Sequence, residues 1–400
     1  MRQSLRVSRL NGDAAHTLTC MNRLCEMFGI EFPIFAFTHC RDVAAAVSRA
    51  GGMGVLGALA FSPEQLELEL KWIDEHVDGK PYGVDVVIPV KSADREMGLA
   101  DEKSLAETLR GMITDEHWEF VHKILADHGV PDEPDASGGG AGNGSPLDQG
   151  VLGWTELTGA PLIDIALAHP IKLLASALGP PPPEAIERAH AQDVKVAALI
   201  GREEQALGDV QTGVDIIIAQ GYEAGGHTGE VASMVLIPDV VDAVSPTPVL
   251  AAGGIGSGRQ MAAAMALGAD GVWTGSVWLT VAESDMSPPI MEKLLSATAT
   301  DTVRSRSMTG KPARQLRTAW TEAWESPESP GTLPMPLQFI LWSYATRRIT
   351  AAGNRELLGM PVGQIVSRMN KVRTAKEVVY EMVEEYIEVT ERMNKALADA

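Results

Sequence analysis

The stretch Asp215-Ile-Ile-Ile-Ala-Gln-Gly-Tyr-Glu-Ala-Gly-Gly-His-Thr-Gly229 carries a single imidazole at the end of a β-branched run. An imidazole is the side chain best suited to carry a proton near neutral pH. Gly225 and Gly226 precede His227 and let the backbone approach a flat ligand closely, with few side chains competing for the space. A lone loop histidine is more often a bystander than a base. The glycine context and the position after Gln220, at the end of the strand, point the other way.

A second pair of stretches has a different chemistry. Pro248-Val-Leu-Ala-Ala-Gly-Gly-Ile-Gly-Ser-Gly-Arg259 and Ala269-Asp-Gly-Val-Trp-Thr-Gly-Ser276 each run from a strand into a glycine turn. Backbone N–H groups of Gly254, Ile255, Gly256, Gly275 and Ser276 can cradle a phosphate with little help from lysine or arginine. Competing motifs fail. Arg259 stands where a GxGxxG fingerprint needs its third glycine, and there is no GxxxxGK[ST], no HExxH and no G-x-S-x-G around Ser257. The nine histidines show no metal-ligand spacing, and no cysteine follows Cys40.

These turns need a scaffold that brings strand ends together. Eight apolar runs read as strands: Pro33–Phe37, Gly54–Leu56, Gly83–Ile88, Ile171–Ala175, Lys195–Leu199, Asp215–Ala219, Pro248–Ala252 and Gly271–Thr274. Helical stretches alternate with them, among them Asp42–Ala50, a helix capped at Ser62, Thr114–His128 and Ser257–Leu267. The pattern predicts an α/β fold, a (β/α)8 TIM barrel with its two phosphate turns in seventh and eighth place, where barrels commonly hold phosphate.

The remaining segments break the rhythm. Residues 1–20 read as a flexible N-terminal extension, 21–325 as the barrel, and 326–400 as a linker and C-terminal helical region. Within the barrel, 131–170 reads as an insertion, partly disordered because of the glycine-rich run Ala136–Pro146. Four prolines between Ser326 and Pro336 mark an extended connector. Beyond them Val379, Met382, Tyr386, Val389 and Met393 form one apolar stripe, suited to packing on the barrel, with a homodimer contact as the alternative.

Composition narrows the partners. The 400 residues hold 33 Lys+Arg against 53 Asp+Glu, a net charge of −20, and no basic patch interrupts the excess of acid. That disfavours nucleic acid and anionic membranes and leaves a small-molecule substrate. No apolar run is long enough to span a membrane, and three cysteines confined to the first forty residues suit a reducing cytoplasm.

Ala219–Gly229, with Ala251-Ala-Gly-Gly-Ile-Gly256 and Trp273-Thr-Gly-Ser276, resembles the nitronate monooxygenase (2-nitropropane dioxygenase-like) family. The likeness runs from about Leu24 to Ala323, excluding the glycine-rich insertion, and includes Phe28–Ile34, Ala50–Gly57, Tyr82–Asp85 and Ala313–Trp320. It implies an FMN-dependent oxidoreductase using O2, with His227 as catalytic base. The FMN phosphate would then sit on Gly253, Gly254, Gly275 and Ser276. The ring would lie near Gln220, Gly225 and Gly226, above the first-strand turn with Thr38, and near Asp85, where the family commonly has Asn. That turn reads Ala36-Phe-Thr-His39 in place of the family's Gln-Gly-Pro-Met, which puts substrate preference in question. Two alternatives stay open: an FMN-dependent reductase of enoyl thioesters or quinones using NAD(P)H, and a flavin-binding protein without turnover.

Overall fold

The structure, a computed structural model, describes residues 22–87, 102–131 and 156–399. The expected N-terminal extension and most of the glycine-rich insertion lie outside them.

Eight parallel strands close into a barrel. In chain order they are β1 (Ile34–Thr38), β2 (Met53–Gly57), β3 (Tyr82–Val87), β4 (Leu173–Ala177), β5 (Lys195–Ile200), β6 (Ile216–Gln220), β8 (Val249–Ala252) and β9 (Gly271–Thr274). Closure comes from β1 pairing with β9, with Phe35 opposite Trp273. Every expected strand lies within two residues of an observed one. The alternation inside each strand divides the side chains between two cores. Ile34, Ala36, Val84, Val86, Ile217 and Val272 face the surrounding helices. Phe35, Met53, Val55, Leu173, Ala197, Ile216, Ile218 and Trp273 fill the barrel, plugged from below by Leu24 and Phe28 of the helix Arg23–Phe28.

Local chemistry sets the helices. The helix Pro63–His76 starts on a complete capping box, Ser62 accepting from the Gln65 N–H while the Gln65 side chain accepts from the Ser62 N–H. Gly54 is required where β2 meets the helix Arg41–Arg49, because a Cβ there would lie 2.1 Å from the Ala44 carbonyl oxygen. Part of the expected insertion is ordinary barrel: Glu156–Ala168 is a helix with Leu162, Ile163, Ala166 and Leu167 buried against the sheet, and it leads into β4.

Two arrangements differ from a barrel with an appendage. The last helix, Ala375–Ala398, packs between the helices Arg41–Arg49 and Gly258–Ala266, so it stands in the place of the eighth outer helix. Gly258 lets it come close, since a Cβ would sit 2.1 Å from the Met382 carbonyl oxygen. Val379, Met382 and Val389 of its stripe are buried, each worth about 1.5–3 kcal/mol, whereas Met393 is half exposed. A second helical layer also forms. The helices Glu102–Gly111 and Asp115–Asp127 share a core with Ala319–Glu325 and Leu337–Ala351. Phe339 of that layer reaches Val87 at the end of β3, so the layer covers one side of the barrel mouth.

Candidate active site

His227 does not hang in a loop. With Gly226 it forms β7, the edge of a three-stranded antiparallel sheet with β10 (Thr302–Ser305) and β11 (Ala313–Leu316). In this sheet His227 lies opposite Ala313 and Gly226 opposite Arg314. Two arginines hold the approach to it. Buried Arg314 donates from Nε and Nη2 to the Tyr222 carbonyl and from Nη1 to Thr302 Oγ1, with its guanidinium 4.5 Å from the Tyr222 ring centre. Arg304 donates to the Thr228 hydroxyl and carbonyl. Both charges are therefore consumed in fixing backbone on either side of the imidazole.

The electrostatics of His227 follow from this position. Its Nε2 shares a 2.7 Å hydrogen bond with the buried Thr309 hydroxyl. Enclosure first, and the Lys311 ammonium second, lower its pKa to about 4, so the ring is neutral at physiological pH. Lys311 is itself exposed, with a pKa lowered by partial burial.

The glycine turns lie beside the loop that leads to His227, since a Cβ on Gly253 would meet Gly221 and one on Gly254 would meet Glu223. Gly253 and Gly254 follow β8 with φ of 95° and 70°, a conformation that side chains other than glycine rarely adopt. Gly275 and Ser276 follow β9. The C-terminal region supplies a wall that the sequence did not reveal. The Gly363 N–H donates to Ser276 Oγ at 2.9 Å, and the Gln364 N–H donates to the Glu223 carbonyl. Gly225 abuts the same segment so tightly that a Cβ would lie 2.7 Å from the Gly363 nitrogen. A cavity of about 350 Å³ opens beside Gly253 and Gly254, with Gln364, Ser367 and Arg368 on its wall. A larger one, about 540 Å³, lies against the last helix and is lined by charges of both signs, Glu381, Glu384, Glu385 and Glu388 with Arg368, Lys371 and Arg373.

The first-strand turn closes the third side. Phe37 points into the barrel, stacked on Trp273 at 6.2 Å and edge-on to His39 at 5.1 Å. His39 reaches across to the Gly57 carbonyl at 3.0 Å and covers Gly57, where a Cβ would meet its ring at 2.7 Å. The imidazole remains open to solvent inside this concave rim, and the surrounding protein lowers its pKa. Thr38 has the outward parity of β1, and its hydroxyl accepts from the Cys40 N–H, so it serves the turn into the next helix.

Asp85 and Gln220 have the inward parity of β3 and β6. Asp85 is 5% exposed, and desolvation raises its pKa to about 7, with no offsetting hydrogen bond or charge from the described residues. The structure thus gathers His227, Gln220, Asp85, Gly225 and Gly226, Gly253 and Gly254, and Gly275 and Ser276 at the C-terminal end of one barrel. The residues absent from the sequence reading are Thr309, Lys311, Arg304, Gly363 and Arg368. Arg314 lay inside the quoted Ala313–Trp320 run without a role.

Comparison with known proteins bears on the same chain length. The model of the nitronate monooxygenase family matches residues 21–139 and 147–385, and the gap falls inside the glycine-rich run. A Mycobacterium tuberculosis protein named "Putative monooxygenase Rv1533" is 55% identical over 372 residues, covering 92% of this chain and 96% of the relative. A "Probable nitronate monooxygenase" of Staphylococcus aureus is 29% identical over 358 residues, covering 86% and 91%. Among solved structures, a nitroalkane oxidase from Streptomyces ansochromogenes superposes with a TM-score of 0.73 at 25% identity, covering 92% of this chain and 99% of that one. FabK from Thermotoga maritima gives 0.69, also at 25% identity, covering 94% and 99%. The chain belongs to the nitronate monooxygenase family and is a flavin-dependent oxidoreductase built on a (β/α)8 barrel.

Proposed function

We propose that the protein oxidises alkyl nitronates with O2 to a carbonyl compound and nitrite, holding FMN in the barrel mouth with His227 as the base beside the substrate. The residues present suit such a cofactor. Gly253 and Gly254 adopt backbone that a Cβ would strain, and Asp85 presents a buried carboxyl with no partner among the described residues. Gly253, Gly254, Gly275 and Ser276 would hold the phosphate through N–H groups, and Gln220, Gly225 and Gly226 would border the ring. When bound, the flavin supplies the electron acceptor that stands between substrate and O2.

The rest follows from the chain's own groups. Thr309 fixes the His227 ring through Nε2, and the arginine-held backbone fixes its height above the barrel. A neutral imidazole next to the Lys311 ammonium makes the His227 side of the mouth attractive to an anion. This observation carries the preference for an already ionised nitronate. A base whose conjugate acid has a pKa near 4 gains little driving force for removing a proton from a neutral nitroalkane. The second layer over β3 and β4 restricts water on the other side.

The test compares two substrates in His227→Asn, reading O2 uptake and nitrite release. Turnover of a neutral nitroalkane, already slow with so weak a base, should fall by about 10², the low end of what a positioned base contributes, while turnover of its pre-formed nitronate falls less than about tenfold. Equal losses on both would remove His227 from the role of base.

A further inference from the structure

Asp85 is the group the proposed reaction leaves unused. It lies in the last half of β3, opposite Gly57 of β2 and Ala175 of β4, and it points into the barrel where its neighbours are Val55, Leu173 and Ala175. None of those can hydrogen-bond to it. Its contrast with the rest of the interior is chemical: a carboxyl, nine-tenths buried, aimed at the space that a ligand of the mouth would fill. Protein interiors rarely leave such a group unpaired, because the lost hydrogen bonds to water are not returned.

We infer that Asp85 binds the ligand of the barrel mouth as a neutral acid, donating its carboxyl proton to an acceptor atom of that ligand, and that ionisation of Asp85 weakens binding. This rests on the reading of the mouth as a flavin site. An asparagine in this place would donate at every pH, whereas an aspartate donates only while protonated. Burial puts the change near pH 7, inside the working range.

The charged groups that share the mouth do not blur this. The inward faces of β2 and β4 carry none near Asp85. His227, on β7, has its pKa lowered to about 4 and is neutral across the window, and burial also lowers that of His39, after β1. Asp285 faces His39, and Lys311 faces His227, while Glu223 is held by the Ser233 N–H and hydroxyl beyond the glycine turn. All of these are shared between the wild-type chain and a variant at Asp85, as is the titration of the ligand's own phosphate.

The experiment is calorimetric titration of the full-length apoprotein with FMN from pH 6.5 to 8.5, for the wild type, Asp85→Asn and Asp85→Leu, each checked for folding by circular dichroism. In the wild type Kd should rise with pH by about tenfold more than in Asp85→Asn. Repeating the titration at pH 8 in buffers of different ionisation enthalpy should show about one extra proton taken up per FMN in the wild type. Asp85→Leu should be as flat as Asp85→Asn and about three- to tenfold weaker at pH 6.5, having lost the donor. Parallel pH profiles and equal proton uptake in wild type and Asp85→Asn would overturn the role of Asp85 while leaving the flavin site standing. Failure of the wild type to bind FMN at any pH would overturn the flavin site and this inference together.

Discussion

Asp85 and Arg314 are both charged-type residues buried almost completely, at 5% and 3% exposure, on opposite sides of one mouth. Arg314 belongs to the small antiparallel sheet, and three of its nitrogens donate to the Tyr222 carbonyl and the Thr302 hydroxyl. Asp85 belongs to the parallel barrel and has no partner among the described residues. The barrel wall around Asp85 is apolar and stabilises the fold; the sheet is polar and positions one imidazole. The contrast is between a buried charge whose bonds are all made, which is architecture, and a buried carboxyl short of bonds at the barrel mouth, where its inward aim as well as its missing partners suits a ligand.

The largest effect should come from Asp85. Its folded pKa is raised from 3.8 to about 7, so the fold binds its proton more tightly than the unfolded chain does. The associated stability is complete below about pH 4 and is lost as pH rises through 7. Apo Asp85→Asn should therefore be more stable than the wild type at pH 8, by up to about 4 kcal/mol, with the gap closing towards pH 4. Urea unfolding at both pH values measures this; a gap that does not change with pH would mean that Asp85 has a partner after all.

Arg314→Ala should act in the opposite sense. Leaving the Tyr222 carbonyl and the Thr302 hydroxyl short of a donor should cost about 2–3 kcal/mol. The damage should concentrate on the His227 loop, visible as faster amide exchange at residues 222–228 than in the barrel strands. Uniform exchange across the molecule would dissolve the distinction between wall and clamp. Thr309→Val is the mildest change. It removes one hydrogen bond to His227 and should cost about 1 kcal/mol or less in stability while slowing turnover of a neutral nitroalkane. Unchanged turnover would show that ring orientation is set without Thr309.

The two regions also differ in how far they can be read in advance. The barrel strands are continuous Val, Ile, Ala and Leu runs because both faces of a parallel sheet are covered, and such runs stand out in a sequence. Gly253 and Gly254 were equally legible, since positive φ leaves a residue-type signature. The clamp has no such signal. Thr302-Val-Arg-Ser305 and Ala313-Arg-Gln-Leu316 are four residues each and rich in polar side chains, so neither carries a strand pattern of its own. Their partner, β7, is two residues long.

Long separation hid the rest. Thr309 meets His227 from 82 positions away, and Gly363 meets Ser276 from 87. The last helix completes the outer ring although about a hundred residues separate it from β9, so its stripe gave its amphipathic character but not its address. Glu156–Ala168 was masked by the low-complexity run before it, although its apolar residues belong to the barrel.

The central claim is that this mouth passes electrons from a nitronate to O2. Anaerobic titration of the flavin-loaded protein, followed by its visible spectrum, tests it without a variant. Propionate 3-nitronate should bleach the flavin band, and admitting O2 should restore the band with release of nitrite. Bleaching by NAD(P)H with no response to the nitronate would contradict the claim and make the protein a reductase.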